Sequence, residues 1–358
     1  MGISLKDVHE SFDILQAHAR SRVDVNLDVW VNNLPRFLES QPEIKGKVKI
    51  LDIKRGSGGS VNGNLIFRTQ LDTGDGRKSE NYVIRYSAVQ DLQNQFKIQK
   101  ALIESGIPAA NPLWMDAAGE FFGIPAFVME FIDAEVPLQS YFTVGPLAEA
   151  SPDDRRIMIS NVINTVAKIH EMDWKERGLE FLLEKGEGDT LLDKELIGWY
   201  FVAETFAPDQ KEALYPAFLW LKENQPEVSD PVFVHNDSNM ANYMFRGTDV
   251  AAVLDFGESH IGPRELDLAV QNNANRLFGI GLNEKDGIPS EAQWLDEYEK
   301  ISSYKIRDWE YYTTFALFRL SIVMLFFTMG LPDDLREKTK DVSLYWQNQL
   351  MDRLQRGA

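Results

Sequence analysis

The chain has 358 residues, enough to bury a substantial core and to divide into two lobes. Its formal net charge of −18 repels phosphate backbones and anionic lipid headgroups, which argues against nucleic acid and membrane as partners and suits either solubility or a cationic small substrate. Cysteine is absent, which excludes a disulfide framework, a thiolate metal site and a cysteine nucleophile, and fits a cytoplasmic protein.

The opening MGISLKDVHESF has no basic start followed by an apolar run, so no secretory signal is expected. Val23, Leu27, Trp30, Leu34 and Phe37 recur at helical spacing, and Pro35 inside that pattern predicts a kink or a break between two helices. The texture then changes. KVKILDIKR, GNLIFRTQL and NYVIRYS read as three strands, with Asp75-Gly76 turning between the last two. A helix is expected over 91–105, stopped by Gly106 and Pro108, and two further strands near PLWMDAAG and IPAFVMEF.

The polar segment Ile132-Asp133-Ala134-Glu135 marks a lobe boundary. It predicts an N-terminal lobe over 1–132, with a helical extension at its start, and a C-terminal lobe over 133–358. Helical patterns dominate beyond it, beginning with a helix capped by Ser151 ahead of Pro152 and running to His170. Residues 231–262 interrupt them with two short strands around an irregular loop. The apolar run 313–331 is broken by Arg319 and ended by Gly330 and Pro332; it reads as a core helix rather than a membrane span.

The densest polar chemistry is His235-Asn236-Asp237-Ser238-Asn239-Met240-Ala241-Asn242, followed by Asp255-Phe256-Gly257, with an apolar strand before each. A carboxylate at a strand end, an amide five residues on and a second carboxylate beyond a hairpin suit phosphoryl transfer. One carboxylate takes the proton of an acceptor hydroxyl, and the amide and second carboxylate hold Mg²⁺ against nucleotide phosphates. The plain alternative is a polar hairpin whose Asp and Asn side chains cap turns.

His-x-Asp-x-x-x-x-Asn followed by Asp-Phe-Gly resembles the catalytic and metal-binding motifs of the aminoglycoside phosphotransferase and choline kinase-like family. The resemblance implies an α+β, protein-kinase-like two-lobed fold, with an antiparallel sheet and a helix in the N-lobe and a mostly helical C-lobe. It implies that Asp237 is the catalytic base and that His235 braces its loop. Asn242 and Asp255 would be Mg²⁺ ligands and ATP contacts, and Asp267, in Glu265-Leu266-Asp267-Leu268-Ala269, would support the loop.

The N-terminal half carries matching features. The glycine-rich stretch 55–64 lies between two strands; alone it is a turn, but in this context Gly58, Gly59 and Ser60 resemble a phosphate cover. Arg85, in Tyr82-Val83-Ile84-Arg85-Tyr86, stands where protein kinases have lysine, and its fork suits phosphate oxygens. Where the family has a helix glutamate this chain has Gln95, which can hydrogen-bond Arg85 without an ion pair. That departure keeps open an alternative, a kinase-fold pseudoenzyme acting as nucleotide sensor or scaffold. Met129, Glu130 and Ile132 resemble the strand and hinge that hold adenine.

The expected function is ATP- and Mg²⁺-dependent transfer of the γ-phosphate to a hydroxyl of a small molecule, with aminoglycosides, choline, sugars and hydroxyacyl-CoA thioesters as family acceptors. ATP and GTP are not distinguished. Acceptor contacts are expected from 189–230 and from helices after Ala269. Trp199, Tyr200 and Glu204 suit a pocket and a core equally, His170 reads as structural, and His260 lies close in sequence to the Asp-Phe-Gly segment.

Overall fold

The computed structural model describes residues 3–20, 27–56, 63–73, 76–88, 90–135, 140–183, 186–208, 210–328 and 330–356. The chain divides into two compact units, Ala17–Asp133 on the one hand and Met1–Gln16 with Ala134–Ala358 on the other. The first helix, α1 (Leu5–Arg20), therefore groups up to Gln16 with the later unit, where the sequence reading attached it to the N-terminal lobe. Its packing gives the reason: Phe12 meets the ring of Phe278 at 4.7 Å, and His9 Nδ1 lies 2.8 Å from Ser140 Oγ.

In the first unit, α2 (Leu27–Glu39) buries Trp30, Leu34, Phe37 and Leu38, the face that the helical spacing marked. Pro35 sits inside this helix, which runs on without the expected break. Val23 lies outside the described residues. The strands are β1 (Lys47–Arg55), β2 (Gly63–Thr73), β3 (Gly76–Tyr86), β4 (Pro112–Asp116) and β5 (Ala126–Glu130), with α3 (Leu92–Glu104) between β3 and β4. They form one sheet in the order β1-β2-β3-β5-β4, every neighbouring pair antiparallel.

Alternation along the strands gives the sheet two faces. Leu65, Phe67, Ile84, Tyr86 and Val128 pack with α2 and Phe122, while Val83, Phe127 and Met129 pack with Leu92 and Phe96 of α3. Asp91 starts α3 by accepting the Asn94 N–H at 3.1 Å, as a cap residue should.

Gly63 opens β2 directly against the Tyr86 ring, which a Cβ would meet at 1.8 Å. That ring is buried and lies 4.8 Å from Trp30, so it has nowhere to swing. Gly63→Ala should destabilise the fold by about 1–3 kcal/mol through overpacking. A urea titration showing a lower midpoint at unchanged slope would bear this out, and an unmoved midpoint would refute it.

The second unit is mostly helical. It contains α4 (Pro146–Glu149), α5 (Pro152–His170), α6 (Leu191–Phe206), α7 (Lys211–Glu223), α8 (Arg264–Phe278), α9 (Glu291–Ser302), α10 (Trp309–Thr328), α11 (Asp333–Ser343) and α12 (Tyr345–Gln355). Ser151 caps α5 by accepting the Asp154 N–H at 3.1 Å, with Pro152 as the first helical residue.

Residues 231–262 hold four short strands, not two. β6 (Val232–Val234) pairs with β9 (His260–Gly262), and β7 (Tyr243–Arg246) pairs with β8 (Asp249–Val253). The hairpin ahead of Asp255 turns at Gly247, whose φ of +60° is the left-handed geometry that a two-residue loop needs. By length and composition α10 could cross a membrane, but 72% of its most apolar stretch is buried inside this unit. It packs against α6, α7, α8 and α12.

Candidate active site

β6 delivers His235 to a loop held by one buried carboxylate. Asp267, in the first turn of α8, accepts the His235 N–H through Oδ2 and the Asn236 N–H through Oδ1, both at 2.9 Å. His170, at the end of α5, brings its Nε2 to 3.1 Å from Asp267 Oδ2, while its Nδ1 lies 2.8 Å from the Tyr298 hydroxyl. Burial pushes the Asp267 carboxyl up, but the His170 hydrogen bond and the His235 contacts outweigh it and hold the group below the usual carboxylate range. His170 is thus structural, and Asp267 supports the loop as the sequence pattern implied.

His235 braces the loop from the inside. Its Nε2 bonds the Leu254 carbonyl at 2.8 Å, its Nδ1 accepts the Asp237 N–H at 3.2 Å, and its ring lies 4.9 Å from that of Phe256. It therefore ties Asp237 to the residue that precedes Asp255.

Asp237 sits at the centre. Asn239 Nδ2 donates to its Oδ1 at 2.8 Å, and Asn242 Nδ2 donates to its Oδ2 at 3.0 Å and to its carbonyl at 2.7 Å. Burial lifts the Asp237 carboxyl above its ordinary value; Arg319 and His235 oppose that shift, and Asp255 adds to it. Asn242 gives its N–H bonds to Asp237, so its oxygen is what remains to offer a cation. Asp255 adopts φ +60°, in the left-handed region where strained residues of active sites gather.

Three further residues belong to this network, and sequence reasoning missed two of them as site residues. Arg319 of α10 donates from Nη1 to Asn236 Oδ1 at 2.6 Å and lies 4.8 Å over the Trp199 ring. Glu195 of α6 accepts from Asn236 Nδ2 at 2.7 Å and from Trp199 Nε1 at 2.8 Å. The only signals available in sequence were a charge inside an otherwise apolar helix and a glutamate four residues before a tryptophan.

Trp199 thereby joins the site. Tyr200 instead packs on Phe218 at 4.4 Å, and Glu204 pairs with Lys211 at 2.8 Å, so the structure does not bring these two to the loop. His260 does lie close, with Nε2 at 3.7 Å from Glu195 Oε2. Both line a cavity of about 180 Å³ with Leu183, Lys194, Gly257 and Glu258.

In the first unit, Arg85 is buried and donates from Nε to Gln95 Oε1 at 2.8 Å, and Gln95 Nε2 donates to Gln90 at 2.6 Å. The strand-to-helix link of a kinase is thus present, with an amide as acceptor. Met129 is buried beside Leu92 and Phe127, Glu130 is exposed with its N–H on the Asn111 carbonyl at 2.9 Å, and Ile132 packs at the edge of the same cluster. Gly58, Gly59 and Ser60 lie outside the described residues. Among the described residues on either side of them, the Gly56 N–H donates to the Asn64 carbonyl at 2.8 Å.

Comparison with known proteins adds three findings. The profile of the Phosphotransferase enzyme family matches residues 61–299. Among curated relatives, acyl-CoA dehydrogenase family member 11 of Rattus norvegicus is 24% identical over 245 residues, covering 64% of this chain and 30% of that protein. Family member 10 of Mus musculus is 24% identical over 248 residues, covering 65% and 22%. The chain thus spans less than a third of the length of these relatives.

Among solved structures, a protein described as an aminoglycoside phosphotransferase of Ralstonia eutropha aligns with a TM-score of 0.68 at 19% identity, over 92% of this chain and 98% of the other. Ethanolamine kinase of Plasmodium vivax aligns with a TM-score of 0.54 at 15% identity, over 83% of each. An aminoglycoside phosphotransferase in complex with ADP and hygromycin B aligns at 0.51 and 14% identity, over 87% of this chain and 95% of that one. The fold is therefore the protein-kinase-like one of these phosphotransferases.

Proposed function

The chain belongs to the phosphotransferase enzyme family, and on that premise we propose that it transfers the γ-phosphate of ATP to a hydroxyl group of a small molecule. One arrangement carries this reading. Leu254, the residue before Asp255, has both peptide groups bonded into the loop, its N–H to the Asn242 carbonyl and its C=O to His235 Nε2, each at 2.8 Å. Asp237, Asn242 and Asp255 are thus held in one rigid constellation, which a turn-capping hairpin would have no need to build.

Within it, Asp237 accepts the proton of the attacking hydroxyl, and its orientation is fixed by Asn239 and Asn242. The upward shift of its carboxyl, caused first by burial, makes it a stronger base and brings it nearer the range in which a base can take a proton during transfer. Arg85 would supply charge for phosphate oxygens, and the Met129, Glu130 and Ile132 segment would receive adenine. Most of the acceleration would come from orientation and preorganised charge.

Among the described residues no three His, Cys, Asp or Glu side chains cluster as metal ligands. The donor set would instead be the Asp255 carboxylate and the Asn242 oxygen, which suits Mg²⁺, an ion that keeps several waters and binds through few protein oxygens. A bound Mg²⁺ would neutralise phosphate charge. The pseudoenzyme alternative has less support, because a sensor has no chemical need for Asp237 with both of its amide partners.

A thermal-shift experiment tests the nucleotide site. MgATP at about a hundred times its dissociation constant should stabilise the protein by about 2.7 kcal/mol, a rise of roughly 3–5 °C. The shift should need magnesium and vanish in Asp255→Ala. A shift that persists in that variant at full size would remove Asp255 from the metal site.

A further inference from the structure

Asn236 has a φ of +61°, a conformation that favours glycine, yet it carries a side chain and is 1% exposed. Its amide is gripped on both sides. Oδ1 accepts from Arg319 Nη1 at 2.6 Å, and Nδ2 donates to Glu195 Oε1 at 2.7 Å. Helices α10 and α6 thereby clamp the one residue between His235 and Asp237.

The clamp is itself supported. The Arg319 guanidinium lies 4.8 Å over Trp199, whose Nε1 donates at 2.8 Å to the same Glu195 oxygen that holds Asn236. Arg319 is 2% exposed, and its Nε is buried without a partner. A cation kept in an apolar helix with one donor unsatisfied is unfavourable as packing alone. Glu195 is an acidic partner beside it, and what the pair delivers to Asn236 is a fixed geometry.

We infer that Arg319 is a positioning residue for phosphoryl transfer, acting through the backbone conformation of Asn236 on the direction of the Asp237 carboxylate. The inference rests on the reading of Asp237 as the base. Without the clamp, Asn236 relaxes towards negative φ. The peptide joining it to Asp237 then turns, and the carboxylate leaves Asn239 and Asn242. Small displacements of this kind cost roughly a hundredfold in rate.

Glycine holds positive φ unaided, and that supplies the test. Wild type, Arg319→Ala and Arg319→Ala with Asn236→Gly are compared for MgATP hydrolysis, with water as acceptor, and for amide exchange over residues 234–240. Arg319→Ala should lower kcat by roughly 10- to 100-fold, leave KM for ATP within about twofold, and raise exchange in the loop. Adding Asn236→Gly should restore most of the turnover and the protection.

A double variant no faster and no better protected than Arg319→Ala overturns the inference, since Arg319 would then act by another route. Arg319→Ala with wild-type turnover and protection overturns it too. If Arg319→Ala does not fold, Arg319→Gln carries the same comparison. A wild type that hydrolyses no MgATP overturns the phosphotransfer reading instead, and the exchange data still decide whether Arg319 fixes the loop.

Discussion

Asp237→Ala should abolish phosphoryl transfer while sparing nucleotide binding. The carboxylate accepts hydrogen bonds from Asn239 and Asn242 and nothing else in the loop can replace it as a proton acceptor, because His235 has both ring nitrogens engaged with Leu254 and with the Asp237 N–H. General-base catalysis of this kind is worth on the order of 10²–10⁴ in rate. ADP release from MgATP, with and without a panel of small alcohols, should fall by about that factor, while the MgATP thermal shift stays near its wild-type size. Turnover within about tenfold of wild type would sink Asp237 as the base. A lost shift with lost turnover would mean that the loop, and not only the base, had collapsed.

Asp267→Ala should have the largest effect on stability. Three buried donors, the His235 and Asn236 amides and His170 Nε2, converge on this one carboxylate, and both it and His170 are shielded from water. Leaving buried donors unsatisfied costs about 1–3 kcal/mol each, and the losses overlap, so a total of roughly 3–5 kcal/mol is expected. Urea titration would measure it, and a loss under about 1 kcal/mol would show that water can replace the carboxylate.

The same group gives a pH dependence. Its folded pKa lies below the ordinary value of 3.8, so its contribution is fully present above about that pH. The contribution disappears as pH falls through the lower folded value. Wild type should therefore lose part of its stability in strong acid that Asp267→Ala no longer has to lose.

Much of this could be read from the sequence because the signals were local. Strand β3, the Ser151 cap and the loop motif each depend on residues within a few positions of one another, while Asp75 of the expected turn lies outside the described residues. Asp267 was legible because its pattern is a short one as well. Arg319 and Glu195 were not, since their meaning comes from α6 and α10 meeting across the loop. In sequence Arg319 only interrupts an apolar run. Strands β7 and β9 were hidden for a related reason: they are too short for alternation to register.

The first helix has a consequence for how the chain is made. Val8, Phe12 and Leu15 are buried in the mature fold, and Phe12 packs on a ring some 266 residues further along. At about 5–20 residues per second, a ribosome needs roughly 15–50 s to produce that partner. The unit Ala17–Asp133 is complete well before then. The nascent chain must therefore carry an unsheltered amphipathic segment past an already folded neighbour, and closing the later unit waits for its own beginning to return.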